Sequence, residues 1–294
     1  MDHRVIVKRA RPALALTLFA LATAATADAQ CRPSRESNEA KLLAFYSAPI
    51  LFGTVSAPET ANAFGVRVSA EVVPIPMVDD DLTETTECSR PKGHNTRLSP
   101  VFGRPRVTVA LPFGFAVEGS WVPPVTVGDA EPHLVSGALS YTNLLPVRPF
   151  GGTMVAALRV HETRGRVRGP ITCNEDAVQS TDPTASCYGN EPSDDTFRPD
   201  MRGIEGALSA WSAGGRVGVF AGGGTAWLRP RFQVGFTYAD GVEDNSRIIV
   251  NLRRSSVFGG VTYRAASRID LSAQAHSVPG DVVTLHFAGG WRLR

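Results

Sequence analysis

The feature that most limits what this chain can become is a beat of two. In "VVTLHFAGGWRLR", residues 282–294, Val283, Leu285, Phe287, Gly289, Trp291 and Leu293 alternate with Thr284, His286, Ala288, Gly290 and Arg292. Successive side chains of a strand point to opposite faces, so this tract is a strand with one apolar, aromatic face and one polar face. "AFGVRVSAEVV", 63–73, repeats the beat, setting Phe64, Val66, Val68, Ala70 and Val72 against Gly65, Arg67, Ser69 and Glu71. "RVTVALPFGFAVEGSWV", 106–122, reads as a hairpin turning at Pro112-Phe113-Gly114, and "RFQVGFTYA" (231–239) and "RIDLSAQAH" (268–276) alternate in the same way.

About twelve such tracts can be counted, near 63–73, 105–111, 115–122, 133–142, 152–161, 203–212, 215–223, 230–239, 247–253, 256–264, 268–277 and 282–293. The tracts at 215–223 and 247–253 are the least regular, so the expected range runs from ten to fourteen strands. Helical spacing competes only in "SNEAKLLAFYSA", 37–48, where Ser37 or Asn38 can cap a short helix.

The first residues point to export. Arg4, Lys8, Arg9 and Arg11 precede an apolar run from Ala13 to Leu21, followed by small residues ending Ala27-Asp28-Ala29, the pattern of a secretory signal peptide. The expected organisation is a signal peptide at 1–29, a periplasmic or lumen-plugging segment at 30–62 and a barrel at 63–294. A lipoprotein anchored at Cys31 is disfavoured, because that processing wants a small residue where Gln30 stands. Without residues 1–29 the chain carries 26 basic and 26 acidic residues, so it offers no electrostatic footprint for nucleic acid.

Beyond the leader, no segment reaches the ~18 consecutive apolar residues of a membrane-spanning helix. A closed barrel is the other structure that satisfies every backbone group in lipid. A soluble sandwich or lipocalin-like barrel would turn the same apolar faces inward, but apolar rows on about twelve strands exceed what a small soluble barrel can enclose. The expected fold is therefore an all-β, antiparallel transmembrane barrel of about twelve strands.

An even strand count returns the chain to the side where it began. With the C-terminus in the periplasm, the turns at 112–114, 212–215 and 265–267 fall on that side and the long connections 74–104 and 162–202 fall outside, the usual asymmetry of such barrels. Cys173 and Cys187 flank a polar stretch and are expected to pair, a bridge that stabilises a loop of that size by roughly 3 kcal/mol. Pairing of Cys31 with Cys88 follows by elimination. It carries a topological demand: Cys31 would start in the periplasm and Cys88 lies on an outer loop, so residues 31–62 must thread the lumen or the pairing fails.

The signal peptide, the alternating strands, the two long polar loops and the last strand with Phe287 and Trp291 resemble bacterial outer-membrane β-barrel proteins in the broad porin-like sense. The resemblance covers about residues 63–294, and the segment ahead of the first strand is distantly similar to that of long-chain fatty-acid transporter barrels. In such proteins the assembly machinery reads a terminal aromatic residue, whereas here Arg292, Leu293 and Arg294 follow Trp291. The resemblance implies an outer-membrane location and, as partners, outer-membrane lipid, lipopolysaccharide and the barrel-assembly machinery.

The residues expected to face the lumen are Arg67, Glu71, Glu118, Arg159, His161, Glu205, Gln233, Thr237, Asn251, Arg253, Arg264, Asp270, Gln274, His276, His286 and Arg292. Such mixed charge suits a water-filled channel with weak anion preference, and equally a lumen zipped by Arg–Glu pairs. The leading expectation is a passive or substrate-selective channel for small solutes, its lumen narrowed by residues 31–62. The alternative is a non-conducting structural or surface-interaction barrel, and a lipid-modifying enzyme comes third.

No catalytic set, metal site or cofactor is expected. His276 and Ser277, like His161 and Glu162, are strand neighbours that point to opposite faces and cannot act as a pair. The cysteine spacings do not fit zinc. "GGRVGVFAGGG", 214–224, lacks the lysine and the helix of a phosphate loop and reads as strand glycines packed against bulky neighbours. The acidic cluster Asp79-Asp80-Asp81 with Glu84 and Glu87 lacks calcium-loop spacing and reads as a solvated loop.

Overall fold

Each alternating tract leaves one polar row and one apolar row to bury, and a wall that closes on itself does both when the polar row turns inward. The computed structural model describes residues 30–60, 63–78, 80–83, 88, 98–148 and 151–293. The expected signal peptide and most of the acidic cluster lie outside them. Strands are numbered along the chain. The wall consists of β2 (Gly65–Pro74), β3 (Val101–Ala110), β4 (Phe115–Val122), β5 (Glu131–Leu145), β6 (Thr153–Gly169), β8 (Met201–Trp211), β9 (Val217–Leu228), β14 (Leu252–Ala266), β15 (Ile269–Val278) and β16 (Val282–Arg292). Six shorter strands lie outside it: β1 (Gln30–Cys31), β7 (Asp195–Arg198), β10 (Arg231–Gln233), β11 (Phe236–Thr237), β12 (Glu243–Asp244) and β13 (Arg247–Ile249).

Every wall strand pairs antiparallel with its neighbours in chain order. β6 meets β8 from Thr153 opposite Trp211 to Thr163 opposite Met201, and β16 closes on β2 from Phe287 opposite Val72 to Arg292 opposite Arg67. The result is a ten-stranded up-and-down barrel. The last strand keeps its expected facing: Val283, Leu285, Phe287 and Trp291 are exposed on the outside, while Thr284, His286 and Ala288 are buried inside.

The outer surface is a belt of exposed apolar side chains, among them Val68, Val107, Leu139, Leu158, Leu208, Val261 and Leu285. Phe115, Tyr141, Tyr263 and Trp291 rim it toward the short turns, and Trp121 and Trp227 toward the long loops. An apolar band between two aromatic girdles is the surface of a membrane-spanning barrel.

Two tracts expected in the wall are not there. Residues 230–239 and 247–253 mostly build an outer layer at the long-loop end, where β7, β10, β13 and β1 extend the sheet from β6. The alternation of "RFQVGFTYA" is real, but Phe232, Val234, Phe236 and Tyr238 are buried in a core and do not face lipid. That core is shared with helix α1 (Asn38–Ser47), through Leu43 and Ala44, and with Phe197, Ile248 and Val250. The Ser37 side chain caps α1 by accepting from the Ala40 N–H at 3.1 Å.

Both expected disulfides are present, Cys31–Cys88 with Cα atoms 5.4 Å apart and Cys173–Cys187 with 5.6 Å. The topological demand of the first is met by threading. Gln30 and Cys31 pair with Arg247 and Ile248 at the long-loop end, and β2 starts at the short-turn end, so residues 48–60 pass down the inside of the barrel.

Candidate functional site: the plugged lumen

The threaded segment has no helix or strand pairing through most of its length, so its backbone groups need partners from the wall. Those partners are the inward charged side chains. Arg104 donates to the carbonyl oxygens of Ile50 (2.8 Å) and Leu51 (2.6 Å), Arg159 to that of Phe52 (3.0 Å) and Arg106 to that of Gly53 (2.8 Å). Lower down, Glu205 accepts from the Thr54 N–H at 2.9 Å and the Thr262 hydroxyl lies 2.8 Å from the Ala57 N–H it receives. Ser209 and the Trp211 indole donate to Pro58 O, and Arg264 and Arg292 reach Glu59 at 2.8 and 2.7 Å.

Phe52 is the centre of the arrangement. Its ring is fully buried, with the guanidinium carbons of Arg104, Arg106 and Arg159 at 4.9, 4.2 and 4.9 Å from its centroid. Three cations over one ring repel each other unless carboxylates answer them. Glu71 lies 2.6 Å from Arg104 and 2.8 Å from Arg106, and Glu118 lies 2.9 Å from Arg106 and 3.2 Å from Arg159. His286 Nδ1 completes the Glu71 shell at 2.7 Å. A second cluster closes the short-turn end, where Asp270 takes both Arg67 and Arg292. Gly290 makes room for it: a Cβ there would lie 2.4 Å from Arg67 Nε and 2.6 Å from an Asp270 oxygen.

Of the residues expected inside, Arg67, Glu71, Glu118, Arg159, His161, Glu205, Arg264, Asp270, Gln274, His276, His286 and Arg292 sit on the inner face. His161 approaches Glu205 at 3.7 Å, and His276 stacks on Phe258 with His286 edge-on to it. Four expectations are corrected. Arg253 points outward, over Trp227 at 5.9 Å, because 252–266 is one strand and Arg254 shares the inner parity of Arg264. Gln233 and Thr237 belong to β10 and β11 of the outer layer, and Asn251 is exposed just before β14. Alternation alone does not mark the two residues that hold the plug most directly, Arg104 and Arg106. Pro105 between them hides the alternation.

Two chambers flank the sealed middle. Toward the short turns a cavity of about 450 Å³ with a mixed polar and apolar lining lies between residues 54–60 and the wall, bordered by Arg67, Thr108, Glu118, Ser140 and Phe115 among others. Toward the long loops an apolar cavity of about 380 Å³ lies against α1 and β3. Between them Phe52, Glu71, Arg104 and Arg106 are each at most 3 % exposed, so plug and wall side chains close over one another at this level.

No protein-family model and no curated protein matches the chain. Among solved structures it is similar to Neisserial surface protein A, at 12 % identity over 80 % of this chain and 97 % of that one, with a TM-score of 0.28. It is also similar to Ail of Yersinia pestis (8 % identity, 78 % and 97 % covered, TM-score 0.24) and to the toluene transporter TbuX of Ralstonia pickettii (12 %, 81 % and 91 %, 0.27). The closed antiparallel barrel of this chain stands on its own strand pairing.

Proposed function

We propose that the chain works in the bacterial outer membrane as a plugged, substrate-selective channel for small solutes, with its C-terminus in the periplasm and its long loops outside. The observation that carries this reading is how the plug is held. Residues 50–53 are fixed by charged hydrogen bonds to their backbone carbonyls and by cation–π contacts to Phe52, and residues 54–59 by polar side chains of the wall. Polar contacts of this kind can be exchanged for water or solute, unlike a dry hydrophobic seal. The 450 Å³ chamber toward the short turns, with Arg67, Glu118 and Arg292 in its mixed lining, supplies a vestibule. Outer-membrane lipid, lipopolysaccharide and the barrel-assembly machinery are its partners in this setting.

A second reading, a non-conducting surface-interaction barrel, is favoured by the outer layer, whose core is continuous with α1 and the barrel mouth and which carries a disulfide at Cys173–Cys187. Planar-bilayer conductance separates the two. The plug is anchored at both ends, so residues 50–59 are replaced by Gly-Ser repeats of equal length rather than deleted. The channel reading expects a silent native protein and discrete steps from the replacement variant, with heat-dependent gel migration unchanged. A folded variant that stays silent would favour the surface barrel, and steps from the native protein would mean an open pore.

A further inference from the structure

The outer layer leaves one of its faces uncovered. Phe197 of β7, Phe232 of β10 and Ile248 of β13 point into the core and are each at most 3 % exposed. Successive strand residues alternate between faces, so Thr196, Arg198, Arg231, Gln233 and Arg247 share the other one. Register sets two of these arginines against each other: Arg231 is the cross-strand partner of Arg198, while Gln233 is that of both Thr196 and Arg247. Side chains directly opposite on antiparallel strands have Cβ atoms ~5 Å apart, and like charges there repel.

Other arginines of this molecule are answered by carboxylates. Arg168, which shares this face from β6, takes Asp194, and in the lumen Glu71 takes Arg106 and Glu118 takes Arg159. Arg198 and Arg231 are both exposed, and among the described residues neither has a hydrogen bond, an ion pair or a ring contact. The two border a cavity of about 240 Å³ together with Gln30, Thr196, Gln233 and Arg247, and no carboxylate belongs to its lining. Guanidinium forks, side-chain amides and a hydroxyl thus converge on one small concave site. A carboxylate offers two oxygens in one plane and is used up by a single fork, whereas a phosphoryl or sulfuryl group has three terminal oxygens and can take both forks at once. The volume lies below the usual range of drug-sized pockets, so it fits one such group and little more.

The height of the site tells which phosphates can reach it. Glu162 of β6 pairs with Arg202, and Arg202 with the girdle residue Trp227, whereas Phe197 pairs with Val167, five residues further along β6. At ~3.3 Å per residue and the usual strand tilt, the site stands about 12 Å above the girdle, beyond a headgroup layer of roughly 6 Å.

We propose that the Arg198–Arg231 cavity on the outer layer binds the phosphate or sulfate monoester end of a small soluble ligand. The proposal goes beyond conduction and does not rest on it, since a channel collecting solutes and a barrel acting as a surface receptor would use the same site.

Calorimetric titration of the full-length protein in phosphatidylcholine nanodiscs tests it, with glucose 6-phosphate, glucose 6-sulfate and uncharged glucose as probes at low ionic strength. Both esters are expected to bind with one site per barrel and glucose not to bind. Arg198→Gln and Arg231→Gln are each expected to weaken ester binding about tenfold or more, and Arg231→Lys to weaken it less, because the point charge remains but the fork is lost. A purely structural role would instead lower stability. Removing one of two opposed cations is expected to leave heat-dependent migration unchanged and the ligand-free unfolding midpoint at or above the native one. Arg216→Gln, in the turn at the opposite rim, is the control for general attraction of anions and is expected to leave the affinity as it was. Failure of both esters to bind would overturn the proposal, as would binding that survives Arg198→Gln and Arg231→Gln together or falls equally in Arg216→Gln. Lipid A added to the nanodiscs decides the source: a site that takes lipid A and neither soluble ester would be a headgroup site, against the proposal.

Discussion

Phe52 is held by charges rather than by carbon, and this decides what its loss would do. Truncating a fully buried ring costs about 3–5 kcal/mol. Here the cost falls on the docking of the plug, because Phe52 contacts the wall through Arg104, Arg106 and Arg159. Phe52→Ala is expected to speed hydrogen exchange of the 50–57 amides while leaving the wall strands protected. Equal loosening of both would mean that the plug and the wall unfold as one unit. Glu71→Gln acts on the other side of the balance. It leaves Arg104 and Arg106 buried with one carboxylate fewer, at a cost of about 3–5 kcal/mol in unfolding free energy, read as a lowered denaturant midpoint at unchanged slope. The double change Glu71→Gln with Arg104→Met is expected to cost less than the two single changes summed, since it removes both halves of a pair. Parity made Glu71, Glu118 and Arg159 legible from sequence. It failed at Arg253, because reading 247–253 as a separate strand slipped the register by one residue, which moves a side chain to the other face. Phe52 and Glu59 gave no sign at all, since an extended plug without periodicity looks like a linker.

At the scale of elements, alternation reports that one face is apolar but not what covers it. β9 (217–228) was among the least regular tracts yet stands in the wall, its glycines packed under large rings: a Cβ at Gly218 would meet the Trp211 ring at 2.8 Å, and one at Gly222 the Phe258 ring at 2.6 Å. The more regular 230–239 was drawn off the wall by α1 and the 170–200 loop, contacts that a local pattern does not contain. That outer layer holds a buried carboxylate. Asp195 accepts from the Thr172 N–H and hydroxyl at 2.6 and 2.9 Å, the Ser193 hydroxyl at 2.8 Å and the Gly235 N–H at 2.9 Å, tying together three segments. Burial nevertheless outweighs these bonds and holds its pKa above the ordinary carboxylate range. A carboxyl raised in the folded state binds its proton more tightly there than in the unfolded chain. Its contribution is fully present below the ordinary value of about 4 and is lost as pH rises through the folded value. The stability advantage of the native protein over Asp195→Asn in this layer is therefore expected to shrink as pH rises from about 3.5 to 7, read by denaturant-dependent hydrogen exchange of residues 170–200. A difference that is flat with pH would show that the carboxyl is not titrating.

For the whole molecule, threading puts Gln30 and the end of β16 at opposite rims in a way strand parity alone would not. A barrel of ten strands puts the start of β2 and the end of β16 at the same rim, and Arg67 opposite Arg292 fixes them there. Residues 48–60 then carry the chain back through the lumen, so Gln30 lies beside Arg247 at the opposite rim, with Cys31 bonded to Cys88 of the β2–β3 loop. The covalent tie makes this arrangement permanent in an oxidising compartment: the plug leaves only if the disulfide is reduced and β1 unpairs. A short epitope placed directly ahead of Gln30 is accordingly expected to bind antibody on intact cells, and one placed after Arg294 only after the outer membrane is permeabilised. Reduction should not change this by itself, because α1 stays packed in the outer-layer core through Leu43 and Ala44. Replacing both Cys31 and Cys88 by serine together with Phe52→Ala removes the tie and the central contact at once. If threading is held by these two devices, that combination should shift the N-terminal epitope toward the periplasm in part of the population, while either change alone leaves it outside. An N-terminal epitope that is silent on intact cells in the native protein, beside a C-terminal one equally silent, would place both ends on one side and remove the threaded plug as the basis of the closed lumen.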